Sequence, residues 1–127
     1  MRKAIETKNA PSAVGPYSQG IVSGGLVFTS GQLGIDPLTG EFAGTDIESQ
    51  THQVFRNIKA VLEEGGSGLD HVCKVTVFLE DMNDFRTVNG IYKTYFCEPY
   101  PARSAVQAAA LPLGGRIEAE AVGVIPS

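Results

Sequence analysis

Residues 45–80 read TDIESQTHQVFRNIKAVLEEGGSGLDHVCKVTVFLE, and a change of period inside this stretch decides the fold class. In its first half Ile47, Thr51, Val54, Ile58, Val61 and Leu62 recur at helical spacing and share one side. Thr45 with Glu48 three residues on has the form of a capping box, which satisfies amide donors at a helix start. Gly65-Gly66 supplies a left-handed stop. From Val72 to Glu80 the period falls to two: Cys73, Val75, Val77 and Leu79 point one way, Lys74 and Thr76 the other. A one-sided helix followed by a one-sided strand predicts a helix lying on a sheet.

The flanks extend this pattern. Toward the N-terminus, Leu26–Ser30 reads as a strand closed by Gly31, with a shorter segment, Tyr17–Val22, before it. Ser23-Gly24-Gly25 between them offers the positive φ angles of a tight hairpin. Gln32–Ile35 is a short strand, ended by Asp36-Pro37 in the first two places of a type I turn. Toward the C-terminus a second helix runs from Asn83 or Asp84 to Phe96, with Phe85, Val88, Tyr92 and Tyr95 as its stripe. Strands at Arg103–Ala109 and Arg116–Ile125 follow, separated by Leu111-Pro112-Leu113-Gly114-Gly115. The order predicts a single α+β domain over residues 1–127, both helices on one side of the sheet and the other side open.

Composition bounds the function. The chain has 127 residues, with 10 Lys+Arg against 14 Asp+Glu and a formal net charge of −4. No basic stripe is left to neutralise phosphates, so no nucleic-acid partner is expected. No apolar run approaches the roughly 20 residues that cross a bilayer, so no membrane partner is expected either. The polar Met1–Ala10 segment is unlike a signal peptide, and a cytoplasmic location is expected. Cys73 and Cys97 are too few for a disulfide framework. Charged residues make up 19%, under the roughly 25% of ordinary soluble domains, which suggests surface hidden against another subunit.

Three positions carry candidate chemistry. Glu118 and Glu120 leave one face of the last strand, which Val122 and Val124 make apolar further along; the face is either a wet rim or a held carboxylate. Arg103 is the only charged side chain between Pro99 and Leu111, among small neighbours that leave room for a guanidinium to fork onto a carboxylate. A structural ion pair with Glu98 or Glu118 would explain it equally. Asn89 lies on an apolar helical stripe, where an amide must find a partner, in a neighbouring loop or in a ligand. His52 falls off the stripe of its helix and is expected at the surface. His71 and Cys73 share a strand face, two ligands at most, and no metal site is expected.

Gly15-Pro16-Tyr17-Ser18-Gln19, Thr29-Ser30-Gly31-Gln32, Asn83-Asp84-Phe85 with Val88-Asn89, Pro101-Ala102-Arg103-Ser104 and Ile117-Glu118-Ala119-Glu120-Ala121 stand in an order that resembles the RidA/YjgF family, from about Ala10 to Val124. The resemblance implies a chorismate-mutase-like mixed β-sheet with two α-helices on one face, assembled as a homotrimer with clefts between subunits. It implies hydrolytic deamination of 2-imino acids such as 2-iminobutanoate and 2-iminopropanoate to 2-keto acids and ammonia, with no cofactor and no metal. In that reading Arg103 grips the substrate carboxylate and Glu118 positions or deprotonates water. Tyr17, Ser30, Gly31 and Asn89 line the cleft, and the backbone amide of Ala105 helps to hold the carboxylate. Many members carry cysteine where this chain has Ala105, and charges where it has Leu113-Gly114-Gly115. The alternative is a non-catalytic regulator binding small carboxylates in the same cleft, or a translation-inhibitor or endoribonuclease role.

Overall fold

The computed structural model describes residues 1–127. Seven strands, β1 (Arg2–Ile5), β2 (Gly20–Ser23), β3 (Leu26–Thr29), β4 (Gln32–Leu33), β5 (Val72–Leu79), β6 (Ala102–Gln107) and β7 (Ile117–Val124), form one mixed sheet. The order is β1-β2-β3-β7-β5-β6, with β4 also on β7. Only β5 and β6 run parallel, joined through helix α2 (Phe85–Tyr95). Helix α1 (Ile47–Glu64) and α2 pack together on one face, as the sequence predicts. Strand β1 was not anticipated: four residues pair with β2 at the sheet edge, and three of their side chains are exposed, so they carry no period.

The stripe of α1 is fully realised. Val54, Phe55, Ile58, Val61 and Leu62 have no exposed surface and belong to a core of 18 buried residues. At up to about 1.5–3 kcal/mol per fully buried large apolar side chain, packing rather than helix propensity holds this segment. Its start lies one residue beyond the expected capping box: Asp46 is the cap, its carboxylate accepting from the Ser49 amide at 2.9 Å. At the other end the Ser67 amide closes on the Leu62 carbonyl at 2.8 Å. The β2–β3 hairpin turns at Gly24 and Gly25, both at positive φ (59° and 79°). Helix α2 is preceded by a single 3-10 turn, Met82–Asp84, which absorbs the residues expected to begin the helix.

Two expectations fail for local reasons. A bulge between Val72 and Lys74 removes Cys73 from the apolar row: Val75, Val77 and Leu79 are buried, whereas Cys73 is exposed, its thiol 3.3 Å from the Val122 carbonyl. His71 lies in the preceding 3-10 turn, so the two never share a strand face. His52 is half-buried instead of on the surface, with Nδ1 2.7 Å from the Tyr95 hydroxyl, because α2 covers that flank of α1. No helix is long and apolar enough to cross a membrane.

The face of the sheet away from the helices is uncovered in the chain. Phe28 pairs with Val122 across β3 and β7, and Phe28, Val106 and Val124 are all more than 40% exposed. Glu118 and Glu120 emerge on this face, since the buried positions of β7 are Ile117, Ala119, Ala121 and Gly123.

Candidate active site

Arg103 pairs with Val75, whose side chain is buried beneath the helices, so the arginine also rises on the helix face. There it meets three residues of α2 spaced by helical turns: Phe85, Asn89 and Tyr92. Arg103 Nη1 donates to Asn89 Oδ1 at 2.8 Å. The guanidinium carbon stands 4.7 Å from the Tyr92 ring centre and 5.3 Å from that of Phe85. Cation–π contacts of this kind contribute about 0.5–2 kcal/mol each, depending on desolvation. The arginine is therefore oriented by an amide and two aromatic faces, neither Glu98 nor Glu118 being its partner. Its cavity, about 300 Å³, is lined by Asn89, Tyr92, Lys93, Tyr100, Pro101 and Arg103, with no acidic side chain. Burial pushes the Tyr92 hydroxyl above its ordinary pKa against the opposing charge of Arg103, so the ring stays neutral beneath the cation. That hydroxyl is buried without a hydrogen-bond partner.

Glu118 belongs to a second depression. It pairs with Phe78 on β5 and with Leu33 on β4. Strands β3 and β4 both run along β7 but are interrupted at Ser30-Gly31, beside the carboxylate. A Cβ on Gly31 would lie 2.8 Å from Glu118 Oε2, so any larger residue there must displace the carboxylate. Ser30 does line the cavity, yet its hydroxyl donates to the Ser18 carbonyl at 2.6 Å and its amide to the Gln19 carbonyl at 2.9 Å. Its visible task is to fix the 17–19 segment and thereby Tyr17. The buried Gln19 side chain completes that anchorage: its amide nitrogen donates to the carbonyls of Thr7, Ala10 and Pro11, and its oxygen accepts from the Thr7 amide. On the far side Asn57 of α1 donates to the carbonyls of Leu33 and Ile35, and Gln50 accepts from the Arg116 amide. One wall of the cavity, about 540 Å³ in volume, is thus tied to the helix layer and the other to the N-terminal segment.

Burial raises the pKa of Glu118 above the ordinary glutamate value, and the like charge of Glu120 raises it further. Gly31→Ala is expected to push the carboxylate toward water and so lower that pKa, with little change in overall stability. Carbon-13 NMR titration of the Glu118 carboxyl checks this; an unmoved titration curve would mean that Gly31 does not set its position.

The candidate residues fall into two groups. Tyr17, Ser30, Gly31 and Glu118 share one cavity; Asn89 and Arg103 share the other. Arg103 is opposite Val75 and Glu118 opposite Phe78, an odd number of steps along β5, so the two leave opposite faces of the sheet. Ala105, level with Val77, packs against the core and lines neither cavity. Its amide is nonetheless placed for a contact: β6 is an edge strand whose Ala108 amide bonds back to β5, and alternation turns the amides of Arg103, Ala105 and Gln107 outward. Sequence reasoning missed the aromatic seat of Arg103, because Phe85 and Tyr92 read as ordinary core. It also missed Gln19, Gln50 and Asn57, whose burial no polar residue announces. No group of three potential metal-binding side chains is present.

Residues 7–125 match the family model described as Endoribonuclease L-PSP. A RutC family protein of Pyrococcus horikoshii is 52% identical over 122 residues, covering 96% of this chain and 97% of its own. A Salmonella typhimurium protein named 2-iminobutanoate/2-iminopropanoate deaminase is 46% identical, covering 98% of each chain. Among solved structures, a putative endoribonuclease from Thermotoga maritima superposes with a TM-score of 0.96 at 48% identity over the full length of both chains.

Proposed function

The chain belongs to the Endoribonuclease L-PSP (RidA/YjgF) family, and from that premise we propose that it hydrolyses reactive 2-imino acids, among them 2-iminobutanoate and 2-iminopropanoate, to 2-keto acids and ammonia. The observation that carries the reading is the division of the site: a guanidinium held by neutral groups on one face, a partly desolvated carboxylate on the other. Each lines half a cleft. The open sheet face, with Phe28, Val106 and Val124 uncovered, is where copies associate as a homotrimer, and the two halves meet across the seam.

The chemistry needs little more. Arg103 holds the substrate carboxylate through two parallel hydrogen bonds, with the Ala105 amide alongside. Glu118 of the adjoining copy lies near the imine carbon and its water. As a carboxylate it takes a proton from the water attacking the protonated imine; as the acid so formed it gives that proton to the amino group of the tetrahedral adduct. The adduct then collapses to the ketone as the C–N bond breaks, its hydroxyl proton passing to the departing ammonia. Water supplies the oxygen, and Glu118 ends as it began. An imine already reacts with water unaided, so orientation and one proton carrier account for the acceleration. A raised pKa suits a group that must both give and take a proton near neutrality.

The test is the rate of keto-acid formation from 2-iminobutanoate, made in place by a dehydratase acting on threonine, followed across pH. Activity is expected to fall on the acid side around a pKa above that of ordinary glutamate. In Glu120→Gln that limb is expected to move to lower pH, because the like charge is gone. No acceleration of keto-acid release at any pH would contradict the proposal and leave a non-catalytic carboxylate binder. An acid limb indifferent to Glu120 would remove Glu118 as the titrating group.

A further inference from the structure

Leu113 has the only non-glycine positive φ in the chain (φ 57°, ψ 18°) and is 78% exposed. Both features are unfavourable for leucine. A Cβ is strained in the left-handed region, where glycine or asparagine is easier, and the side chain gains nothing from the core of its own chain. The loop is nevertheless firmly built. The Gly114 amide bonds the Leu111 carbonyl and the Gly115 amide the Pro112 carbonyl; Gly115 is buried beside Leu33 and Phe42, and the Arg116 amide bonds Gln50. Leu113 is therefore a fixed projection, and it projects at the Glu118 cavity.

That cavity is two-sided. Tyr17, Ser30 and Glu118 are polar; Val14, Leu33, Ile35, Pro112 and Leu113 form an apolar wall. Val14, 84% exposed, comes from the N-terminal segment and Leu113 from the loop before β7, so two separate pieces of chain bring bare apolar groups to one rim. The cavity around Glu118 is also the larger of the two, about 540 Å³ against 300 Å³.

In a 2-imino acid the side chain is bonded to the carbon that water attacks. Whatever surrounds the proton-handling carboxylate therefore surrounds the substrate side chain, while the guanidinium end sees only the carboxylate. We propose that Leu113, with Val14, is a specificity-determining residue whose apolar lip selects 2-imino acids bearing bulky aliphatic side chains, such as those derived from leucine or methionine, over the smallest members of the class. This rests on the imine-deaminase reading of the same site. The occupant of the lip is the substrate side chain; a second copy of the protein is the competing occupant that the test must separate.

The experiment compares kcat/KM for two imines made in place by an amino acid oxidase with oxygen, one from leucine and one from alanine, with catalase removing peroxide. The quantity read is the ratio of the two values. Leu113→Asn keeps nearly the same size and suits the backbone angle but is polar; Leu113→Met keeps the apolar contact. The ratio of leucine-derived to alanine-derived imine is expected to fall about fivefold to tenfold in Leu113→Asn and to hold within about twofold in Leu113→Met. Equal losses on both substrates, an unchanged ratio, or a change of oligomeric state accompanying the loss would overturn the inference while leaving the deaminase reading intact. Wild-type protein inactive on both imines would overturn the two together.

Discussion

Arg103→Ala is expected to lower kcat/KM toward 2-iminobutanoate by about 100-fold to 1,000-fold, the range for losing a two-point, charge-assisted contact with a carboxylate in a partly desolvated cleft. Its fold should survive. Arg103 is half-buried at the edge strand, and its removal leaves Asn89 beside an open cavity where water can replace the lost donor. A change in Tm of no more than a few degrees, with the oligomer intact, is expected. Arg103→Lys should recover only part of the activity, because an ammonium keeps the charge but not the planar fork and stacks less well on Tyr92. Full activity in Arg103→Ala, in protein that remains assembled, would remove the carboxylate clamp from the account.

Glu118→Gln is expected to separate binding from chemistry. Turnover should fall about 100-fold to 10,000-fold, the usual worth of a general acid–base group, while affinity for a 2-keto acid product persists through Arg103. A binder without catalysis would have no turnover to lose. The same substitution should stabilise the protein at neutral pH. The folded-state pKa of Glu118 lies above its unfolded value, burial being the larger cause and Glu120 the smaller. Between those two values the folded chain holds a proton that the unfolded chain releases, so stability declines as pH rises through the window. Above it the whole penalty of an ionised, partly buried carboxylate remains. Glutamine carries no such penalty, so the variant should melt higher, by about 1–3 °C given the remaining solvent exposure, and the gain should vanish below the ordinary glutamate pKa.

The legible part of the fold was the part with strong period. The α1 stripe, the β5 row from Val75 to Leu79 and the Gly24-Gly25 hairpin all stand as the residues imply, because each is decided by burial on one side or by a backbone angle. Strand β1 and the Cys73 bulge were illegible, since edge pairing and a one-residue slip of register leave no mark on hydropathy. The motif residues, expected to line one cleft, stand in two groups around Glu118 and around Arg103, and their separation onto two faces of the sheet depends on register: Val75 and Phe78 are three apart on β5, and only pairing shows which of them stands opposite Arg103 and which opposite Glu118. The aromatic seat was hidden for a different reason. Tyr92 is at once core for Phe55 and Phe96 and a surface for a cation, and one stripe position cannot display both roles.

The proposed division of the site between copies has a direct test. Arg103→Ala and Glu118→Gln, each inactive alone, are refolded together in equal amounts. In a closed ring each seam takes its guanidinium from one copy and its carboxylate from the next, so random mixing makes about a quarter of the seams whole. Recovery of roughly that fraction of wild-type activity is the predicted result; a mixture that assembles yet stays as inactive as its parents would contradict the account.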